Sequence, residues 1–210
     1  MSRFTWVLVV VLGAWGAQVA QAQSSTGFEG LADGTTLAAQ IPGLAFSNAV
    51  VLTSGVSLNE FEFPPHGGSN VASDDGGAMQ IVFNSSVTLA SAFFTYNAPL
   101  TLTAFDGGGN LVATAHSLFS SNMALSGVAG SSPNERIDLG AGAGFTRLVI
   151  TGEQGGASFV IDDLSVSVVP ELSTGAALLV GLAVLALRRA RADRGGDNRG
   201  TPGDGAEQRS

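Results

Sequence analysis

The stretch "PLTLTAFDGGGNLVATAHSLF", Pro99–Phe119, decides the fold class. Leu100, Leu102 and Ala104 fall on one face of an extended chain, and Thr101 and Thr103 fall on the other. That period of two belongs to a half-buried strand. Gly107–Asn110 is turn sequence, and Leu111–Phe119 returns with the same texture, so the stretch is a β-hairpin. Its three glycines are a hairpin turn and not a phosphate-binding loop, because neither a helix nor a lysine follows them.

The same pattern extends in both directions. Met79–Phe83, Val87–Tyr96, Phe145–Thr151 and Ser158–Val168 read as strands, and Leu44–Leu52 reads as a weaker one. The segment from Gly27 to Val168 is rich in Gly, Ser, Thr, Val and Ala and shows no helical period or internal repeat. Many short strands between glycine-rich turns predict an all-β, two-sheet antiparallel sandwich. About 140 residues suffice to bury a core in that form.

Composition narrows the chemistry. The 210-residue chain has no cysteine, which removes disulfides, thiolate nucleophiles and thiolate metal sites. It also lacks lysine. Between Gln23 and Val168 there are twelve acidic residues against Arg136 and Arg147, whereas six arginines and four acids follow Leu187. An acidic body argues against nucleic acid as a partner, because phosphate neutralisation needs a basic face. The N-terminus carries Arg3, an apolar core at Val7–Ala14 and a small-x-small site at Ala20–Ala22. Residues 1–22 are therefore predicted to be a secretory signal peptide, with residues 23–168 as an exported body.

The C-terminal segment sets the expected destination. An apolar run, Gly175–Leu187, lies between Pro170-Glu171 and the cluster Arg188, Arg189, Arg191 and Arg194. It is short for a membrane span, which usually takes about 17–25 residues. Arginines directly after an apolar run follow the positive-inside rule, so Arg188, Arg189 and Arg191 are expected to set the topology. Val169, Pro170 and Glu171, then Ser173 and Thr174, then a short apolar helix and arginines together resemble the PEP-CTERM sorting signal. Leu172 stands where that family usually has a second proline.

The resemblance implies an exported protein of a Gram-negative bacterium that makes exopolysaccharide. Such a protein is anchored in the inner membrane during sorting and then reaches the cell surface or extracellular matrix. It also implies an exosortase-type processing enzyme as partner. The expected organisation is a sorting signal at 169–194 containing a transmembrane helix at 173–187, followed by a disordered tail at 195–210.

Two motifs of the body, "GFEGLADGTTL" (Gly27–Leu37) and "SFVIDDLSVSV" (Ser158–Val168), resemble the opening and closing strands of jelly-roll modules of the galactose-binding and carbohydrate-binding type. That resemblance implies an antiparallel jelly-roll β-sandwich. Counting back by two from Val168, Val166 and Leu164 places Asp162 inward and Asp163 outward. An inward carboxylate needs a partner. The resemblance implies that a Glu from the first strand and an Asp from the last, here Glu29 and Asp162, hold a structural calcium together with backbone carbonyls, as in several carbohydrate-binding modules, since oxygen ligands suit calcium. Asp33 is a possible third ligand. The alternative is that Asp162 accepts hydrogen bonds from backbone amides.

Other candidates favour structural readings. Asp74-Asp75-Gly76-Gly77 and Asp106-Gly107 read as turns. Glu60 and Glu62 read as the solvated face of a strand. His66 and His116 lack metal-ligand spacing. Trp6 and Trp15 both fall in the signal peptide, so the exported body has no tryptophan for sugar stacking. The expected function is a non-enzymatic structural or adhesive module associated with exopolysaccharide. A lectin-like carbohydrate-binding module is the alternative, and a secreted polysaccharide hydrolase is a more distant one.

Overall fold

The computed structural model describes residues 23–168 and 184–185. The predicted signal peptide, the tail and all of the sorting segment except Val184 and Leu185 lie outside the described residues. Val184 and Leu185 are helical. Among the described residues no helix is long and apolar enough to cross a membrane.

The body is all-β and antiparallel. In chain order its strands are β1 (Gln23–Thr26), β2 (Leu44–Ser47), β3 (Ala49–Thr53), β4 (Asn70–Asp75), β5 (Met79–Tyr96), β6 (Thr101–Phe105), β7 (Leu111–His116), β8 (Glu135–Thr151) and β9 (Gly156–Val168). Their order is β3-β4-β9-β5-β8-β6-β7, with β1 added to β9 and β2 to β5. The hairpin at Pro99–Phe119 is present as β6 and β7, with Thr101 opposite His116.

Two strands are far longer than their sequence predicts. Met79–Phe83 and Val87–Tyr96 are one 18-residue strand, β5, and "FTRLVIT" is only the second half of the 17-residue β8. The β5–β8 register shifts between Val82 and Leu89, around Asn84-Ser85-Ser86, where a turn is the natural reading from sequence. Such shifts let a strand bend from one layer into the other. The first half of β5 pairs with β2 and the second half of β8, whereas its second half pairs with β9 and the first half of β8. Phe83 meets Phe145 edge-on beside this corner, with ring centroids 5.6 Å apart.

The bend makes the two layers face each other. Leu102, Leu148 and Ile150 from one layer line the same small cavity as Ala92, Phe94, Ile137, Ile161 and Leu164 from the other. Each large apolar side chain buried this way contributes about 1.5–3 kcal/mol. Outside this core a smaller cluster, Leu58, Val71 and Val160 with Leu52 and Phe63, seats the segment between β3 and β4 against the outer side of β9.

Three further differences from the sequence reading have local causes. Leu44–Leu52 is split into β2 and β3 at Asn48, which has φ 54°. Asp74 and Asp75 belong to β4 rather than a turn. Residues 59–63, read as a strand, are turns, with Glu62 accepting from Asn59 Nδ2 at 2.8 Å.

Candidate functional site

The site begins with a bulge in β9. Asp162 lies opposite Phe93 of β5 and Ser165 lies opposite Ser91, so two residues of β9 face Ala92 alone. The extra residue, Asp163, has φ 48°. A bulge of this kind inverts the side-chain alternation beyond it. Phe159 and Ile161 face the core before the bulge, and Leu164 and Val166 face it afterwards. This corrects the period-of-two count. Asp162 shares a face with Val160, as expected, but that face is opposite to the one holding Leu164 and Val166. Asp162 is nonetheless only 1% exposed, because the segment between β3 and β4 crosses it.

Loop residues His66–Asn70 grip this strand through backbone amides. Asp162 Oδ2 accepts from His66 N and Gly67 N, both at 2.8 Å, and Oδ1 accepts from Asp163 N at 2.7 Å. Burial pushes the Asp162 carboxyl above its ordinary pKa, the neighbouring Asp163 charge adds to this, and the amides pull it back down. Glu29 lies not in the first strand but in the turn beyond it, where Phe28 is buried at φ 62°. Glu29 Oε1 accepts from Ser69 N and Asn70 N, each at 2.8 Å. Gly68 has φ 58°, and a Cβ there would strike the Glu29 carboxylate, so two independent constraints require glycine.

The expected pair, Glu29 and Asp162, therefore meets on one loop. Calcium takes six to eight oxygen ligands. Here three of the four carboxylate oxygens, both of Asp162 and Glu29 Oε1, already receive N–H donors, and Glu29 Oε2 meets only the Ser69 hydroxyl at 3.5 Å. Asp33 is directed elsewhere, accepting from Thr53 N at 2.8 Å and from the Ser57 hydroxyl. Among the described residues no group of three or more His, Asp or Glu is arranged to hold a metal. The donor set suits amide partners, the alternative that the sequence left open for Asp162.

Beside the loop, the outer face of β9, β5 and β8 forms an open groove of about 290 Å³, solvent included, lined by Gln23, Ser91, Phe93, Arg136, Asp163 and Ser165. Ser91 lies opposite Ser165 and Asp138, and Phe93 lies opposite Arg136. The His66 ring lies flat on Phe93, with centroids 3.4 Å apart and planes 7° apart. Gln23 donates to Ser165 Oγ at 2.7 Å, and Arg136 Nε donates to Asp138 Oδ1 at 2.9 Å. The result is a stacked ring pair flanked by guanidinium, carboxylate, amide and hydroxyl groups. This combination can pack against the apolar face of a polyhydroxylated ligand and hydrogen-bond its edge.

The sequence reading missed this groove. Phe93 was one phenylalanine among many, and Arg136 and Asp138 lay in the unread half of β8. His116 is not part of it; it sits on β7, 3.2 Å from Thr101 Oγ1.

No family model matches the chain, and no curated protein matches it. Solved structures give distant likenesses. The K2 cleaved adhesin domain of Lys-gingipain is 15% identical with a TM-score of 0.46, covering 69% of this chain and 99% of that one. A DUF4465 family protein from Bacteroides caccae is 11% identical with a TM-score of 0.46, covering 70% and 99%. A family 29 carbohydrate-binding module is 12% identical with a TM-score of 0.37, covering 70% and 92%. These scores lie below 0.5, and the antiparallel fold stands on its own strand order.

Proposed function

We propose that this chain is an exported, non-enzymatic β-sandwich of the jelly-roll kind that attaches to polysaccharide at the cell surface or in the extracellular matrix. The observation that carries the reading is the groove: a His66–Phe93 stack beside Arg136, Asp163, Gln23 and two serines on an open sheet face. Its acids are already partnered, Asp163 with His66 and Asp138 with Arg136. That arrangement suits holding a ligand better than acid–base hydrolysis, which needs a free proton donor and a free base. Twelve acids against two arginines in residues 23–168 favour a neutral, hydroxyl-rich chain over a uronic acid polymer.

Affinity electrophoresis of the exported protein through gels containing neutral or uronic polysaccharides tests this. The wild type is expected to be retarded by a neutral polymer, and Phe93→Ala and Arg136→Ala to migrate freely while still unfolding cooperatively. Equal migration of all three in every gel overturns the reading.

Delivery is the second part of the proposal. The order Val169-Pro170-Glu171, Ser173-Thr174, apolar segment, Arg188-Arg189 supports sorting by an exosortase-type enzyme, with the membrane as a temporary anchor. Mass spectrometry of the mature protein from a host with such an enzyme should find the C-terminal segment removed. A body that stays joined to residues 195–210 leaves only a plain anchor.

A further inference from the structure

We propose that loop His66–Asn70 is a built-in replacement for a cation, so that the sandwich joins its first turn to its last strand without a metal. This inference stands independently of the polysaccharide reading. Four amides of residues 66–70, the last of them opening β4, converge on two carboxylates from opposite ends of the body: His66 and Gly67 on Asp162, Ser69 and Asn70 on Glu29, all at 2.8 Å. Neighbouring backbone N–H groups that point the same way form a concave anion cradle. Amide–carboxylate bonds of this length are charge-assisted.

The loop is shaped for that contact. Gly67 approaches so closely that a Cβ would lie 3.2 Å from Asp163 Oδ2, and a Cβ on Gly68 would collide with Glu29. A side chain at Gly68 would be strained at φ 58° and would force the Glu29 carboxylate to shift from the amides it accepts from. Asn70 extends the tie, its Nδ2 donating to Phe28 O at 3.2 Å and Leu31 O at 2.9 Å, which fixes the turn that carries Glu29. His66 closes the other end on Asp163 at 2.6 Å. A divalent ion held by both carboxylates would compete with these donors, since Glu29 Oε2 alone is without an N–H partner.

The test uses the full chain, freed of metal with EDTA and then titrated with calcium. Thermal melts are expected to superimpose with and without calcium, and the Gly67 and Ser69 amides are expected to exchange slowly with deuterium in EDTA. A Tm that rises with calcium in the wild type and not in Glu29→Gln overturns the proposal. Fast exchange of those two amides in EDTA overturns it as well, even if the variant does not fold.

Discussion

His66 Nδ1 lies 2.6 Å from Asp163 Oδ2, across 97 residues of chain. The contact exists because the bulge turns Asp163 toward the loop instead of along its strand. It holds the imidazole over Phe93 and so links the geometry of β9 to the ring pair in the groove.

Asp163 is therefore constrained by its backbone as well as by its charge. At φ 48° an Asn is tolerated and a β-branched residue is strained. Asp163→Asn should stay close to wild-type stability, whereas Asp163→Val should lose about 1–3 kcal/mol. Urea denaturation of the two variants measures the difference, and equal midpoints would remove the strain argument.

Asp162→Ala leaves the amides of His66, Gly67 and Asp163 without their acceptor. Unsatisfied buried donors cost about 1–3 kcal/mol. The expected result is a lower urea midpoint together with faster deuterium exchange confined to loop 66–70. A loss of stability with the loop still protected would place the effect elsewhere.

Tyr96 ties β5 to β8 and to the chain leaving β7. Its hydroxyl donates to Glu135 Oε2 and accepts from Phe119 N at 3.2 Å, while Glu135 Oε1 accepts from Leu118 N at 3.0 Å. Burial and the Glu135 hydrogen bond push the phenol up to about 12. A raised phenol contributes stability that is complete below its unfolded pKa and is lost as pH rises through the folded one. Tyr96→Phe should cost about 1–3 kcal/mol near neutrality and should flatten the alkaline loss expected of the wild type when urea midpoints of the two are compared across pH.

Asp74 is 2% exposed, and its carboxyl accepts from Ser158 N and Phe159 N and from the Ser158 hydroxyl. Burial raises its pKa against the pull of those bonds. The folded state therefore binds this proton more readily than the unfolded chain. The associated stability is fully present below the unfolded value and declines as pH rises through the folded one. Asp106 acts in the opposite sense: Asn110 lowers its pKa, so its contribution is lost on acidification. Comparing wild type with Asp74→Asn isolates the first effect. The gain of the wild type over the variant should shrink as pH rises above the unfolded value of 3.8 and through the raised folded one, and a constant gap in urea midpoints would contradict it.

The sequence revealed what depends on local alternation. The β6–β7 hairpin and the late strand at Ser158–Val168 follow from period-two patterning, whereas the proximity of the chain's first turn to its last strand was implied only by the resemblance to jelly-roll modules. What it concealed depends on partners far along the chain. A bulge at Asp163 has no signature within "VIDDLSV", because the extra residue is defined only by where β5 places Ser91 and Phe93. The bend in β5 hides behind Asn84-Ser85-Ser86, residues that usually end a strand. Asp74 resembled a turn residue because its acceptors' partners, Ser158 and Phe159, lie 84 and 85 positions away. The groove was hidden for the same reason, since its residues come from four strands and a loop.

The last strand also determines how the body bears tension. From Leu164 onward β9 lies between β1 and β5, with Leu164–Ser167 opposite Thr26–Gln23 on one side and Ser165–Val168 opposite Ser91–Val87 on the other. A pull on Val168 directed along the strand runs perpendicular to the hydrogen bonds on both flanks. Those bonds are then loaded together in shear. A strand at the sheet edge, such as β7, could instead be peeled away one bond at a time.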